Sequence, residues 1–398
     1  MTAPSRSPFV KPDRLKTLAN GVFAEMDAAS RKARAAGVDV INLSIGSPDR
    51  APAPHVIERL SAAVHDLGFY GYPMAAQPRF HEAVAKWYKA RFGVDLDPGA
   101  EILGISGSQD GLAHLALAVT NPGDIVLVPD PGYPIYSAGP VMAGAVLYPV
   151  PLTEENGYLP DFDAIPEDIW RRAKVILLNY PSNPLAATAD LAFFQRVVEV
   201  AHRRRMVVVH DAAYSELTFD GYRPPSFLQV PGAKEVGIEF NSLSKTFNMA
   251  GCRIGYAMGN PEVIKALGEV KGHLDFGIFR PVQEAAIAAL EGPQEWVREN
   301  AATYQRRRDI LVDGLAAAGW KMPKPKATMF CWAPIPETAG RPDSMRFALR
   351  LLEKTGIVIV PGIGFGERGE GYARLALVQS EERMAEAVQR FAASGMIG

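Results

Sequence analysis

Short apolar runs rich in β-branched residues alternate, over the first two-thirds of the chain, with longer stretches whose apolar positions recur every three or four residues. The runs at 125–128, 175–178 and 206–210 are almost continuously apolar, which predicts strands buried on both faces. Between them, 111–119 and 191–204 carry helical spacing. Strands of this kind separated by helices predict an α/β fold with a mostly parallel sheet sandwiched by helices. The pattern changes near residue 293. Residues 294–317 read as one long helix rich in Arg and Glu, followed by alternating segments at 329–333, 357–360 and 373–378 and a terminal helix. The expected organisation is an N-terminal arm and part of a small domain (1–49), a large domain (50–293) and a smaller C-terminal α+β domain (294–398).

Composition narrows the functional classes. With 48% hydrophobic and 22% charged residues and a net charge of −2, the chain has no excess of basic residues for a nucleic-acid surface and no acidic tail. Two cysteines, Cys252 and Cys331, give no disulfide framework and fit a reducing cytoplasm. Residues 1–8 lack an apolar signal core, and no apolar run is long enough to span a bilayer. A soluble cytoplasmic protein with neither membrane nor nucleic-acid partners, and no metal site, is expected.

The ends of the predicted strands carry the chemistry, as α/β sheets require of a ligand site. After Ile105 comes Ser106-Gly-Ser108-Gln109-Asp-Gly111, opening a helix; after Val128 comes Pro129-Asp-Pro-Gly-Tyr133-Pro-Ile-Tyr136. Asn179-Tyr-Pro-Ser-Asn183-Pro follows Leu178, and Asp211-Ala-Ala-Tyr214 follows His210. The most informative segment is Asn241-Ser242-Leu-Ser244-Lys245, with Arg253 eight residues beyond the lysine and glycine on both sides of that arginine. Lysine amines form Schiff bases with carbonyl compounds, and hydroxyls with arginine suit a phosphate. An aldehyde and a phosphate in one site point to pyridoxal phosphate. An isolated lysine is more often a surface charge. Here Ser242, Ser244, Asn248 and Gly251 are poor helix formers, and 253–258 reads as a strand entering the core, so that Arg253 would need an anionic partner.

Each further residue has a plain reading beside the chemical one. Asp211 is either a turn or cap residue or a carboxylate facing a protonated pyridine nitrogen. Tyr214 and Asn183 both offer hydrogen bonds to a phenolic ring oxygen. The helix opened by Ser106–Gly111 presents N–H groups to a phosphate. Tyr133 either stacks on an aromatic ring or shapes a Pro-Gly-Tyr-Pro turn. Arg374, a charge within an apolar strand, is either a structural ion pair or a bidentate clamp on a substrate carboxylate.

Taken together and in this order, over nearly the whole chain, these segments resemble the class I/II aminotransferases, pyridoxal-phosphate enzymes of fold type I. The resemblance implies that Lys245 is the Schiff-base lysine and Asp211 the partner of the pyridine nitrogen, with Tyr214 and Asn183 on the ring hydroxyl. It assigns the phosphate to Ser242, Ser244, Arg253, Ser108 and Gln109, the stacking ring to Tyr133 and the substrate α-carboxylate to Arg374. Gly46 looks like the glycine over which substrate lies, and 361–366 like the family's small-domain loop. Members are homodimers in which a tyrosine of the neighbouring subunit reaches the phosphate; Tyr72 is the best match and Tyr70 the alternative, because Ala76 and Gln77 stand where the family has a glycine. Asn183-Pro-Leu-Ala-Ala also departs from the family's Asn-Pro-Thr-Gly. Arg280 is a candidate for a distal substrate carboxylate across the dimer interface, or an interface charge. The wording of 210–214, 248–251 and 306–312 is closest to the branch holding alanine (glutamate–pyruvate), LL-diaminopimelate and aspartate aminotransferases. The implied activity is ping-pong amino transfer between an L-amino acid and a 2-oxo acid, with a carbon–sulfur lyase on the same scaffold as the alternative.

Overall fold

The computed structural model describes residues 10–18, 21–336 and 343–397, so the N-terminal segment 1–9 lies outside the described residues. A two-residue strand, β1 (Ile41–Asn42), precedes a central seven-stranded sheet. Its strands are β2 (Ile102–Ile105), β3 (Ile125–Asp130), β4 (Val146–Pro151), β5 (Ala173–Asn179), β6 (Val207–Asp211), β7 (Gly237–Ser242) and β8 (Gly255–Gly259). They lie in the order β2-β8-β7-β6-β5-β3-β4. Only β8 runs antiparallel to its neighbours, so the C-terminal ends of β2, β3, β5, β6 and β7 share one edge with the start of β8.

The continuous apolar runs are explained by what covers them. Val126, Val128, Val175, Leu177 and Val209 pack with helices Ser108–Val119, Ile135–Met142 and Pro261–Leu274 on one face. Ile125, Leu127, Ile176, Leu178 and Val208 alternate with them and pack with Pro78–Phe92, Leu191–Arg204 and Arg280–Glu291 on the other. With both faces buried, neither set of alternate positions is free to be polar.

Local signals set several boundaries. The 191–204 helix forms as expected because Asp190 caps its first turn, accepting from Phe193 N–H at 2.8 Å, and Arg205 ends it at φ 56°. The helix after Ser106 starts at Ser108, three residues earlier than its apolar pattern indicates. The 253–258 strand requires correction: Arg253 adopts φ 53° after the short turn Ala250–Cys252, which breaks the extended chain, and β8 starts at Gly255. Arg253 is exposed rather than held at the head of a buried strand. Two strands escape a hydrophobicity reading. β4 carries Pro149 and Pro151 at the sheet edge, and β7 contains Glu239 and Asn241, polar yet buried.

Beyond the long helix Glu295–Ala317, β9 (Phe330–Pro334), β10 (Ile357–Val358), β11 (Val360–Pro361) and β12 (Tyr372–Ala376) form the second layer, followed by helix Glu381–Ala393. β11-β12-β9 is antiparallel, whereas β10 pairs with β1 in parallel. The 357–360 segment thus divides between two sheets. Leu311, Leu315, Met384 and Phe391 build this core together with Met26, Ile41, Leu43 and the stretch Ala213, Tyr214, Leu217 and Phe219. Among the described residues no helix is long and apolar enough to cross a membrane.

Candidate active site

The shared edge of the central sheet, the loop after β1 and strand β12 enclose a cleft of about 430 Å³. Gly46, Ser108, Gln109, Tyr133, Asn183, Asp211, Tyr214, Ser242, Ser244, Lys245, Arg253 and Arg374 all line it. Tyr72 and Arg280 do not. The Tyr72 ring packs against Phe276 on the surface, and Arg280, at the start of its helix, donates to the Gly68 carbonyl at 3.2 Å. Tyr70 is also outside, its hydroxyl donating to Val64 O at 2.9 Å.

Lys245 sits in the short helix Leu243–Thr246, directly after β7, and its amine donates to the Gly46 carbonyl. Burial, reinforced by the positive charges of Arg374 and Arg253, pulls its pKa down to about 8, while Asp211 acts the other way. Asp211 ends β6. Its Oδ2 accepts from the Tyr136 hydroxyl at 2.9 Å and its Oδ1 from Ala213 N–H at 3.3 Å, and it forms no ion pair among the described residues. Burial pushes the Asp211 carboxyl up; the Tyr136 hydrogen bond and nearby positive charge, including Lys245, oppose this. Burial also raises the Tyr214 phenol, which is hydrogen-bonded to Asn183.

Arg374, on β12, reaches across from the second sheet. Its Nη1 donates to Asn183 Oδ1 at 2.8 Å and its Nη2 to Ser44 O at 2.7 Å. The guanidinium carbon lies 4.1 Å from the Phe330 ring centre and 4.8 Å from that of Phe365, in the 361–366 loop. Burial lowers its pKa to about 10, and its Nε is buried without a hydrogen-bond partner.

Opposite these groups, the helix Ser108–Val119 starts without a side-chain cap, and Tyr133 donates to Gln109 Oε1 at 2.9 Å. Gly107 has φ 86°, a left-handed conformation that favours glycine, and a Cβ there would sit 2.5 Å from Arg253 Nη2 and displace the guanidinium from this helix start. Ser242 Oγ accepts from Ser244 N–H at 3.1 Å.

Three contributors were not legible in the sequence. Tyr136, three residues beyond Tyr133, holds Asp211. Asn179 accepts from Asn183 N–H at 2.7 Å and donates to Asp211 O at 2.8 Å, so one buried side chain ties two turns together. A polar residue closing an apolar strand was its only signal. Helix Gly21–Ala35 brings Phe23, Met26, Asp27 and Ser30 to the cleft wall.

The donor set fits pyridoxal phosphate on its own terms. It combines an amine of lowered pKa, a buried carboxylate without a cationic partner, an uncapped helix start beside Arg253, and a guanidinium with an unsatisfied Nε. The family described as aminotransferase class I and II matches residues 38–391. The chain belongs to this family. It is a pyridoxal-phosphate-dependent aminotransferase of fold type I. Over 378 residues it is 52% identical to the LL-diaminopimelate aminotransferase of Moorella thermoacetica, covering 95% of this chain and 96% of that protein. The substrate-bound structure of BacF from Bacillus subtilis matches with a TM-score of 0.92 at 39% identity, over 97% of this chain and 98% of that one. A probable N-succinyldiaminopimelate aminotransferase from Thermus thermophilus matches with a TM-score of 0.88 at 40% identity, over 94% and 100% of the two chains. The aminotransferase thus moves an amino group between an L-amino acid and a 2-oxo acid.

Proposed function

We propose that the amino donor is of the LL-diaminopimelate type. The 52% identity to an LL-diaminopimelate aminotransferase over nearly the full length of both chains carries this reading. Pyridoxal phosphate supplies, when bound, a reactive carbonyl and an electron sink. Lys245 moves the proton at the donor α-carbon; an amine with a pKa of about 8 is suited to this near neutrality. The anion of Asp211 would favour a protonated ring nitrogen, Tyr214 and Asn183 would hold the ring oxygen, and Tyr133 would stack on the ring. Ser108, Gln109, Ser242, Ser244 and Arg253 would hold the phosphate, and Arg374 would orient the donor α-carboxylate as a fork. Gly46, whose carbonyl accepts from the Lys245 amine, would lie beneath the substrate. The same reading takes 1–49 as an N-terminal arm and part of the small domain, 50–293 as the cofactor-binding domain and 294–398 as the C-terminal small domain. In support, the second apolar core is drawn mainly from residues before 50 and after 300, joined by Ala213, Tyr214, Leu217 and Phe219. It places the enzyme in the cytoplasm, in keeping with two free cysteines.

Single-turnover half-reactions followed by the cofactor spectrum test the donor. LL-diaminopimelate and glutamate are expected to convert the cofactor to its amine form. Failure of LL-diaminopimelate to do so would remove the donor assignment, and pyruvate and ammonia released from a cysteine-type substrate without acceptor would favour the lyase.

The reading includes a homodimer with shared sites. Leu67, at 84% exposure, and Tyr72, at 77%, lie with Tyr70, Met74, Phe276 and Phe279 among the exposed large apolar side chains, in two segments joined by the Tyr72–Phe276 and Tyr70–Phe279 ring contacts. An apolar surface of this kind suits a second copy of the chain, which would bring Tyr72 to the neighbour's phosphate and Arg280 to its substrate's distal end. Sedimentation is expected to show a dimer, and Arg280→Ala to weaken the preference for dicarboxylic over neutral donors. An unchanged preference removes Arg280 from the site.

A further inference from the structure

Three hydrogen-bond donors and an imidazole converge on one carboxyl group that does not line the cleft. Glu239, within β7, is fully buried, and so is His210, its register partner on β6. Glu239 Oε1 accepts from the Tyr88 and Ser226 hydroxyls, each at 2.8 Å. Its Oε2 accepts from Phe227 N–H at 2.8 Å and faces His210 Nδ1 at 2.8 Å. The other ring nitrogen, Nε2, lies 3.0 Å from the Tyr180 carbonyl oxygen. A carbonyl can only accept, so Nε2 carries a proton. The three other donors already favour negative charge on Glu239, so Nδ1 carries a proton too. The pair is therefore an imidazolium against a carboxylate, wholly out of water.

Such a pair is costly to bury, and apolar side chains of similar size hold adjacent strands together equally well. Its location supplies a reason for it. Successive strand residues face opposite sides of a sheet. His210 faces the helix layer, with its ring centre 4.8 Å from that of Phe194, while Asp211, next in the chain, faces the cleft. The imidazolium thus stands one residue behind Asp211, where its charge favours the Asp211 anion against the effect of burial. Tyr180, whose carbonyl it holds, begins the turn that ends in Asn183. Asn179 ties the same two segments from its own position at the end of β5.

We propose that His210 and Glu239 are positioning residues for amino transfer: their buried ion pair fixes the Asp211 strand end against the Tyr180–Asn183 turn and supplies a fixed positive charge behind Asp211. The inference rests on the assignment of Asp211 and Asn183 to the cofactor ring.

The test uses the intact holoenzyme. With ¹⁵N-labelled histidine, a doubly protonated imidazole signal is expected at about pH 7.5 that disappears in His210→Gln; a neutral imidazole assigned to His210 overturns the proposal. His210→Gln and Glu239→Gln are each expected to lower kcat and pyridoxal phosphate affinity by about 10- to 100-fold, the range typical of residues that orient a functional group, with donor KM within about twofold. Folded variants that keep wild-type kcat and cofactor affinity would show a purely structural pair and overturn the proposal. If neither variant folds, the labelled wild-type enzyme decides alone, the His210 signal then being assigned by its contacts to Phe194. Asp211→Asn separates the two levels. Undiminished turnover in that variant removes the role of Asp211 itself. A collapse there, beside unaffected His210 and Glu239 variants, removes only the pair.

Discussion

Lys245→Ala is expected to lower turnover by at least about 10⁴-fold, the loss associated with removing a positioned general base that also serves as nucleophile. Among the described residues lining the cleft no other amine can replace it as nucleophile, since the other cationic side chains there are Arg253 and Arg374, which do not give up a proton near neutrality. Those arginines do a different job. Burial first, and then their charges, bring the Lys245 amine to about 8, so about one molecule in five carries the free amine at pH 7.4, against about one in a thousand for an ordinary lysine. Capture of pyridoxal phosphate by the apoenzyme needs that free amine. Its rate should therefore rise with pH and level off above about 8; a rate still rising through pH 10 would contradict the lowered value. Steady-state assays of Lys245→Ala with and without methylamine complete the test. Added amine should restore part of the rate, and substantial turnover without it would sink the assignment.

The cleft residues were legible where chemistry and local structure coincide. Asp211 and Asn183 lie at or just beyond the recognisable ends of β6 and β5, and a ligand site at such ends follows from the topology of a parallel sheet; Lys245 stood out by its Ser-Leu-Ser-Lys setting and not by the strand before it. Their mutual arrangement was not legible. Asn183 and Arg374 read separately as a ring contact and a carboxylate clamp, yet they hydrogen-bond to each other from 191 residues apart. Likewise, the carbonyls of Ser44 and Gly46, invisible in a sequence, accept from Arg374 and Lys245. Arg253 departs from its expected setting because a left-handed residue leaves no mark in a hydrophobicity pattern. β7 escapes notice for the opposite reason. Glu239 and Asn241 look like surface residues until the partners that permit their burial are brought beside them: Tyr88, Ser226 and His210 for Glu239, and Tyr88 and Ser215 for Asn241. Tyr72 and Arg280 lie outside the cleft of the single chain, and the resemblance that singles them out gives them roles only across an interface between two copies, which the sequence of one chain does not display.

Replacing Arg374 with alanine should lower kcat/KM by about 10³-fold for every amino donor, as expected for losing one member of a buried charged pair worth about 3–5 kcal/mol. The guanidinium is buried between Phe330 and Phe365, and its pKa is drawn down to about 10 by burial. Neutral oxygens of Asn183 and Ser44 take two of its N–H groups, the aromatic faces contribute a modest cation–π attraction, and no carboxylate among the described residues balances the charge. An α-carboxylate held there, as proposed, would do so for any amino acid, whatever its side chain. The loss should therefore fall mainly on KM and fall equally on alanine and glutamate, because an interaction present in both ground and transition states is uniform binding. Arg374→Lys should not recover it. A lysine offers a point charge rather than a planar fork and cannot hold Asn183, Ser44 and a carboxylate together. Kinetics with one neutral and one dicarboxylic donor decide the matter. If alanine keeps its kcat/KM while glutamate loses its own, Arg374 reads the side chain and the α-carboxylate must be held elsewhere.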